Sequence, residues 1–198
     1  MLERQVHVPP SVYLIADNLD AALASGEDLT ASASNWVTGD VSDPCVSVAQ
    51  RWALSRFRAH ELSLVARIVQ ARLHIAELSR EVLRFRPLAQ LFVSATTDLA
   101  DVFEELHEQV EANFDTGGGR DAYLRSRGLL NIGAAGLADA DTPIIGDDFL
   151  VAGKLPLGVC MDLIAEFLDA LDGTFDLYPN QTPKAPTGVD TGDSQDVA

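Results

Sequence analysis

The sequence is poor in cysteine. Cys45 and Cys160 are far apart, and neither belongs to a Cys-x-x-Cys pair or to a Cys/His spacing. A disulfide framework or a structural zinc site needs several closely spaced ligands, so the sequence predicts neither. We therefore expect two reduced thiols.

Basic residues are also scarce. The 198 residues carry 14 Lys and Arg against 30 Asp and Glu, which gives a formal net charge of −16, and twelve of the 14 cations are Arg. Proteins that bind nucleic acids or anionic membranes neutralise phosphates with Lys and Arg. The charge therefore argues against a nucleic-acid partner and against a membrane partner, and the Arg-rich, Ala-rich composition suggests a bacterial source.

Long apolar runs are missing as well. No stretch reaches the roughly 18 apolar residues of a membrane-spanning helix, and residues 1–20 lack the apolar run and cleavage pattern of a signal peptide. We expect a cytoplasmic protein. A hydrophobic content of 47% suits one domain. We place this domain at residues 1–178, followed by a disordered acidic tail at 179–198 that has almost no apolar side chains.

Helical periodicity is abundant. Two consecutive helices are predicted at 44–85 and 87–114, and their charges differ in sign. Residues 50–86 hold eight Arg and three Glu, whereas residues 87–115 hold seven acids and no Lys or Arg. The sequence Ser42-Asp43-Pro44 predicts an N-cap followed by proline at the first helical position. Pro87 lacks a backbone donor and disfavours helical geometry at the residue before it, so we expect the chain to reverse there into an antiparallel hairpin.

The first helix of this hairpin is predicted to be the central helix of the fold. A narrow polar stripe runs along it, and apolar side chains cover most of the remaining circumference, as expected of a helix buried on several sides. Antiparallel pairing about Pro87 would place Arg72 level with Asp101 and Arg67 level with Glu105. The apolar residues that we expect to be buried are Leu62, Val65, Ala66, Ile68, Val69, Leu73, Ile75 and Ala76.

Three shorter helices complete the predicted fold. One begins near Ser11 and ends at Gly26, one covers residues 120–127, and the last follows Pro156. Residues 27–43 read as mostly loop, and 129–153 form an irregular segment in which no strand is assigned. The predicted class is an all-α bundle of about five helices built on the hairpin. The last helix should bury Leu157, Cys160, Ile164, Phe167, Leu168 and Leu171.

Arg58, Glu61 and Arg72 are the candidate interface residues. The two arginines lie two heptads apart among apolar neighbours, and Glu61 is one turn from Arg58. An arginine in that setting needs a carboxylate, either within the chain as an internal ion pair, which we favour, or on a partner. His60 and His74 share the polar stripe and are candidates for ligand binding or pH sensing, although we favour a partly exposed position on a solvated face for both.

Metal binding and catalysis have weaker signals. Glu104 and His107 form a Glu-x-x-His spacing, but the second such motif and the extra glutamates of a di-iron site are missing. None of the four histidines lies in a recognisable nucleophile motif. We predict no cofactor and a non-enzymatic interaction or assembly protein that binds itself or another protein through the hairpin. The alternative is a ligand-binding or metal-dependent enzyme with a pocket between the bundle and residues 131–155.

Overall fold

A computed structural model describes residues 8–32, 36–37, 42–108, 117–129 and 145–177. The predicted all-α class is confirmed, and the described ranges contain six helices and one two-stranded antiparallel sheet. No helix in these ranges combines the length and apolarity needed to cross a bilayer. The elements are α1 Pro10–Ser32, α2 Pro44–Glu81, α3 Arg86–Ala95, α4 Thr97–Glu108, α5 Gly117–Ser126, β1 Leu150–Val151, β2 Leu155–Pro156 and α6 Leu157–Phe175. The predicted tail at 179–198 lies outside the described residues.

The first helix is longer than predicted. α1 continues through Gly26 to Ser32, so the expected helix end at Gly26 is wrong, as is the loop assigned directly after it. A Cβ atom at Gly26 would overlap the Met161 sulfur of α6. This glycine therefore allows α1 and α6 to pack closely and does not end the helix, and Leu29 in the added turns is fully buried.

The second helix begins as predicted. Asp43 is the N-cap, its Oδ1 accepts a hydrogen bond of 2.8 Å from the Cys45 amide, and Pro44 follows at the start of the helix. α2 packs against α1, α3 and α4, which confirms its central position. Val65, Ile68 and Ile75 are fully buried, but Leu73, predicted to be buried, is 67% exposed.

The chain does reverse after α2, although not at Pro87. The helix ends at Glu81, Val82 is extended, and a short 3-10 turn at Leu83–Phe85 leads into α3. Arg86 is helical with φ −55° and ψ −45°, so the expected break at Arg86 is wrong. Pro87 instead lies in the first turn of α3, where a helix loses nothing from the missing donor.

The second arm of the hairpin is two helices where one was predicted. The break lies at Thr96, whose φ of −101° and ψ of 12° depart from helical values and whose hydroxyl donates to the Phe92 carbonyl oxygen at 2.7 Å. α3 and α4 both pack on α2. Burial lowers the pKa of Arg72, and the charge of Asp101 on α4 partly opposes that shift, while the level pairing of the two residues stays a prediction. Arg67 instead contacts Asn18 of α1, so its predicted pairing with Glu105 is wrong.

A short hairpin precedes the last helix, in a segment where no strand was assigned. β1 pairs antiparallel with β2, and Ala152 and Gly153 in the turn have φ of 55° and 70°. A Cβ atom at Gly153 would lie 2.9 Å from the Ser126 carbonyl oxygen. Glycine at this position therefore lets the turn pack closely against the end of α5. α6 then buries the six predicted residues, and its Phe167 packs on Phe85 and Phe92.

Candidate interaction surface

α2 carries two contrasting faces, and the buried one contains a charged cluster. Glu61 is completely buried, and its carboxylate accepts hydrogen bonds from both arms of Arg127, at 2.7 Å from Nε and 3.1 Å from Nη2. The Tyr123 hydroxyl donates to the same carboxylate at 3.2 Å, and the Ala152 amide donates at 2.7 Å. Two carboxylate oxygens with four donors have their hydrogen-bonding capacity filled, so Glu61 joins α2 to α5 and to the β1–β2 turn.

Burial controls the protonation of the neighbouring groups. Desolvation and the adjacent Glu61 charge raise the pKa of Tyr123 well above its ordinary value, so its hydroxyl stays protonated and donates. The Arg127 guanidinium lies 4.8 Å from the Tyr123 ring centre, a favourable cation–π distance. Arg58 is 8% exposed and lies near the charges of Glu61 and Arg127. Desolvation by burial lowers its pKa. The cluster thus stabilises a neutral phenol beside a paired carboxylate.

A second polar chain extends from this cluster toward the start of α2. Arg120 donates from Nη1 to the Gln50 side-chain oxygen at 2.9 Å, and the Gln50 amide donates to the Val37 carbonyl oxygen at 3.0 Å. Both side chains are less than a tenth exposed. Beside them Trp36 stacks on Phe57 with 6.3 Å between ring centres. Buried hydrogen bonds therefore connect α5 and residues 36–37 to the same turns of α2.

Arg72 stabilises the junction of α3 and α4. Its guanidinium donates to the Thr96 carbonyl oxygen from Nη1 and to the Thr97 hydroxyl from Nη2, the latter at 3.4 Å. Partial burial lowers the pKa of Arg72, and Asp101 opposes that shift. We favoured internal ion pairs for Arg58 and Arg72, which stays a prediction, and the ion pair of Glu61 has Arg127 as its cation. Whether Arg58, Glu61 or Arg72 contacts a partner stays a prediction.

The two candidate histidines are partly exposed and face different neighbours. His60 Nδ1 lies 3.9 Å from an Asp28 carboxylate oxygen of α1, and His74 Nδ1 lies 3.4 Å from a Glu77 carboxylate oxygen one turn further along α2. The polar stripe near His60 is therefore an interhelical contact, since the Ser63 and Ser25 hydroxyls also meet at 2.9 Å. A ligand or pH-sensing role for His60 and His74 stays a prediction.

The possible metal and pocket sites are only partly described. The side chains of Glu104 and His107 lie outside the described residues, as do residues 130–144 of the predicted pocket region. Within the described ranges no group of three or more His, Cys, Asp and Glu side chains could hold a metal ion. The described part of the pocket region, residues 145–155, forms β1 and its turn and contributes the Ala152 amide to Glu61.

The opposite face of α2 presents apolar side chains to solvent. Val48 is 54% exposed, Trp52 57% and Leu73 67%. These residues belong to a row with alternating spacings of three and four, which we call the outer stripe. Of its nine positions all but Ser55 are apolar: Cys45, Val48, Trp52, Ser55, Ala59, Leu62, Ala66, Val69 and Leu73. Such a heptad row, sustained over about four heptads, is typical of a coiled-coil seam.

The charges beside the outer stripe are all of one sign. The positions that flank a heptad seam from 49 to 72 include Arg51, Arg56, Arg58 and Arg72 and no acid. The Arg56 guanidinium lies over the Trp52 ring, 4.9 Å from its centre, so the cation and the aromatic ring form one exposed unit. Arg58 is buried near Glu61, and Arg72 donates to Thr96 and Thr97, so the basic groups beside the exposed part of the stripe are Arg51 and Arg56.

Comparison with protein-family models, with curated proteins and with solved structures finds no match for this chain. Two features of the site were not predicted from the sequence. Arg127, which donates to Glu61, lies 66 residues further along the chain. No local sequence pattern predicts this contact. The heptad spacing of the outer stripe is visible in the sequence. Because α2 has apolar residues on most sides, this one row cannot be distinguished from the apolar rows beside it.

Proposed function

We propose that this protein is a non-enzymatic interaction or assembly protein whose contact surface is the outer stripe of α2. The observation that carries the proposal is the exposure of Val48, Trp52 and Leu73 on one heptad row. Full burial of an apolar side chain of this size contributes roughly 1.5 to 3 kcal/mol. Side chains that stay exposed in the isolated chain can contribute this free energy to binding. Leu62, Ala66 and Val69 in the same row are partly buried, so the exposed apolar side chains lie toward its two ends. Large apolar side chains clustered at the surface mark interaction sites.

The rigidity of α2 supports the same proposal. The inner face of α2 is fixed by α1, α3, α4 and the Glu61 hydrogen bonds, so the outer stripe is presented on a pre-ordered helix. A pre-ordered surface loses little conformational entropy when it binds. Tryptophan and arginine, which meet here as Trp52 and Arg56, are the residue types enriched where binding energy is concentrated.

The test compares two variants that each lose two exposed apolar side chains. The stripe variant carries Trp52→Ser and Leu73→Ser, and the control carries Leu83→Ser and Val159→Ser, whose side chains are 66% and 47% exposed. Isotope-labelled baits of the wild type and of both variants are used to capture polypeptides from an extract of the source cells, so that a second copy of the chain is also recognised by its mass.

A supporting result has two parts. A polypeptide captured by the wild type and by the control must be lost from the stripe variant. After purification it must then bind with at least roughly tenfold lower affinity to the stripe variant than to the wild type, the loss expected from about 1.4 kcal/mol of apolar contact. Equal affinity of all three baits for every captured polypeptide would remove the proposal, because the outer stripe would then contribute nothing to recognition.

A further inference from the structure

We infer that the partner of the outer stripe is an amphipathic helix with acidic residues beside its own apolar seam. This inference rests on the proposed function and adds the chemistry of the partner. Its first argument is geometric. A heptad row with exposed apolar side chains accepts another helix by the same side-chain packing that forms coiled coils. The row from Cys45 to Leu73 covers 29 residues and about 42 Å at the rise of an α-helix.

The second argument is charge. Residues that flank a seam meet the flanking residues of the partner helix, and opposite charges there select the partner. Arg51 and Arg56 are both partly buried and flank the exposed part of the stripe around Trp52. The described residues of α2 before Glu77 hold a single acid, Glu61, which is fully buried. A partner that places Glu or Asp at its flanking positions therefore fits this surface.

Pairing of α2 with the α2 of a second copy fits less well. In a parallel pair, a flanking residue lies beside the residue five positions further along the other helix, which brings Arg51 of one copy beside Arg56 of the other. In an antiparallel pair like positions meet, and the flanking positions from 49 to 72 hold no acid. Neither arrangement places an acid opposite Arg51 or Arg56, so the row favours a helix of different composition.

Small residues in the outer stripe determine how closely a partner helix can approach α2. Ala59 and Ala66 occupy the middle of the stripe, Ser55 precedes them, and the bulky Trp52 and Leu73 stand toward the two ends. A partner helix would lie close to the centre and be held by larger contacts near its ends. Trp52 also reports on docking, because its indole is more than half exposed before binding and would be covered afterwards.

The experiment uses two synthetic helical probes of about four heptads, identical except at their flanking positions. Both have Leu at the seam positions. One has Glu at every flanking position and the other has Lys there. Binding to the full chain is followed by the emission of Trp52 in a Trp36→Phe background and by the anisotropy of labelled probe, at about 50 mM and about 500 mM salt.

We expect the Glu probe to bind roughly tenfold more tightly than the Lys probe at low salt, with a smaller difference at high salt. Arg56→Glu should reduce or invert this preference. Arg56→Gln, which loses the cation over Trp52 without adding an acid, should have an intermediate effect. Arg86→Glu makes the same charge change at an exposed site on α3 and should leave the preference unchanged.

Three outcomes would overturn the inference. Equal affinity for the two probes would show that charge does not select the partner. Failure of both probes to bind would reject a coiled-coil partner. Dimerisation of the purified chain, measured by sedimentation and abolished by Trp52→Ser, would make a second copy the occupant. The first and third results would leave the outer stripe as the contact surface of the proposed function, which fails only in the separate comparison of stripe and control variants.

Discussion

The two buried regions around α2 are stabilised in different ways. Where α2 meets α5 and the β1–β2 turn, a carboxylate, three arginines and a tyrosine are buried together. Glu61 and Arg127 form hydrogen bonds of 2.7 and 3.1 Å, and Tyr123 adds another. Where α1, α2, α3 and α6 meet, the interior is aliphatic and aromatic, with Phe92 edge-on to Phe167 at 5.5 Å between ring centres.

The titratable groups of the two regions show what this difference means. Cys160 lies in the apolar region, and desolvation alone raises the pKa of its thiol to about 12. The pKa of Tyr123 is raised as well, but there Arg127 and Arg58 oppose the effect of burial and of Glu61. The charged cluster depends on the pairing of specific atoms, whereas the apolar core depends on filled volume. Removing one atom group should therefore affect the two regions differently.

The largest effect is expected from breaking the charged cluster. Glu61→Gln keeps the side-chain volume but leaves Arg127 without its counter-charge, and removing one partner of a buried ion pair costs about 3 to 5 kcal/mol. We expect the free energy of unfolding in urea to fall by this amount. Glu77→Gln, at a side chain 60% exposed on the same helix, should change it by less than about 0.5 kcal/mol. A loss below about 1 kcal/mol for Glu61→Gln would mean that the cluster is not stabilising.

The next largest effect is a pH dependence of the free energy of unfolding that comes from a thiol buried in the apolar core. The pKa of Cys160 is about 12 in the folded chain against a reference value of 9.0, so the folded state binds the thiol proton more tightly. This contribution is fully present below pH 9 and is lost as the pH rises toward 12. The free energy of unfolding should fall by up to about 4 kcal/mol over that range because of this group.

Cys160→Ala tests this expectation, since alanine cannot titrate. The variant should lose less stability between pH 9 and pH 12 than the wild type, whatever its stability at neutral pH. Urea unfolding at several pH values gives the two slopes. Parallel curves for wild type and variant would show that the thiol is not desolvated in the folded chain.

The smallest effect concerns the boundary between the two arms of the hairpin. Arg72→Ala removes the donors to the Thr96 carbonyl oxygen and the Thr97 hydroxyl. Because Arg72 is only half-buried, we expect a loss of about 1 to 2 kcal/mol, below that of the Glu61 variant. Arg80→Ala, at an exposed site, is the matched control. Hydrogen exchange should speed up in the first turn of α4, and unchanged exchange there would contradict a role for Arg72 in fixing the α3–α4 junction.

Local signals predicted the parts of the fold that depend on neighbouring residues. The Asp43-Pro44 start of α2 and the six buried residues of α6 follow from capping chemistry and from helical period, and both are confirmed. Gly26 and Pro87 were misread because each has two common roles. Glycine ends helices but also permits close packing, and proline breaks helices but also begins them. The choice depends on what lies opposite in space, such as Met161 against Gly26.

For the candidate residues on α2, the need for partners was predicted from the sequence, but the partners themselves were not. The sequence singled out Arg58, Glu61 and Arg72 because charged groups among apolar neighbours need partners, and the structure gives Glu61 four donors within the chain. Their sources, α5 and the β1–β2 turn, follow 62 or more residues later in the chain. Spacing along a helix cannot encode such contacts, because only the packing of distant segments brings them together.

By itself, the sequence determined the helical class, the opposite charges of the two hairpin arms and the apolar face of the last helix, since each depends on residues within a few turns of one another. The tertiary structure alone decided which side of α2 is covered. α2 is apolar on most of its circumference, and its heptad row becomes a surface because α1, α3 and α4 pack on the other sides. The physical reason is that periodicity fixes a side chain's direction about its own axis, whereas exposure depends on which neighbours occupy that direction.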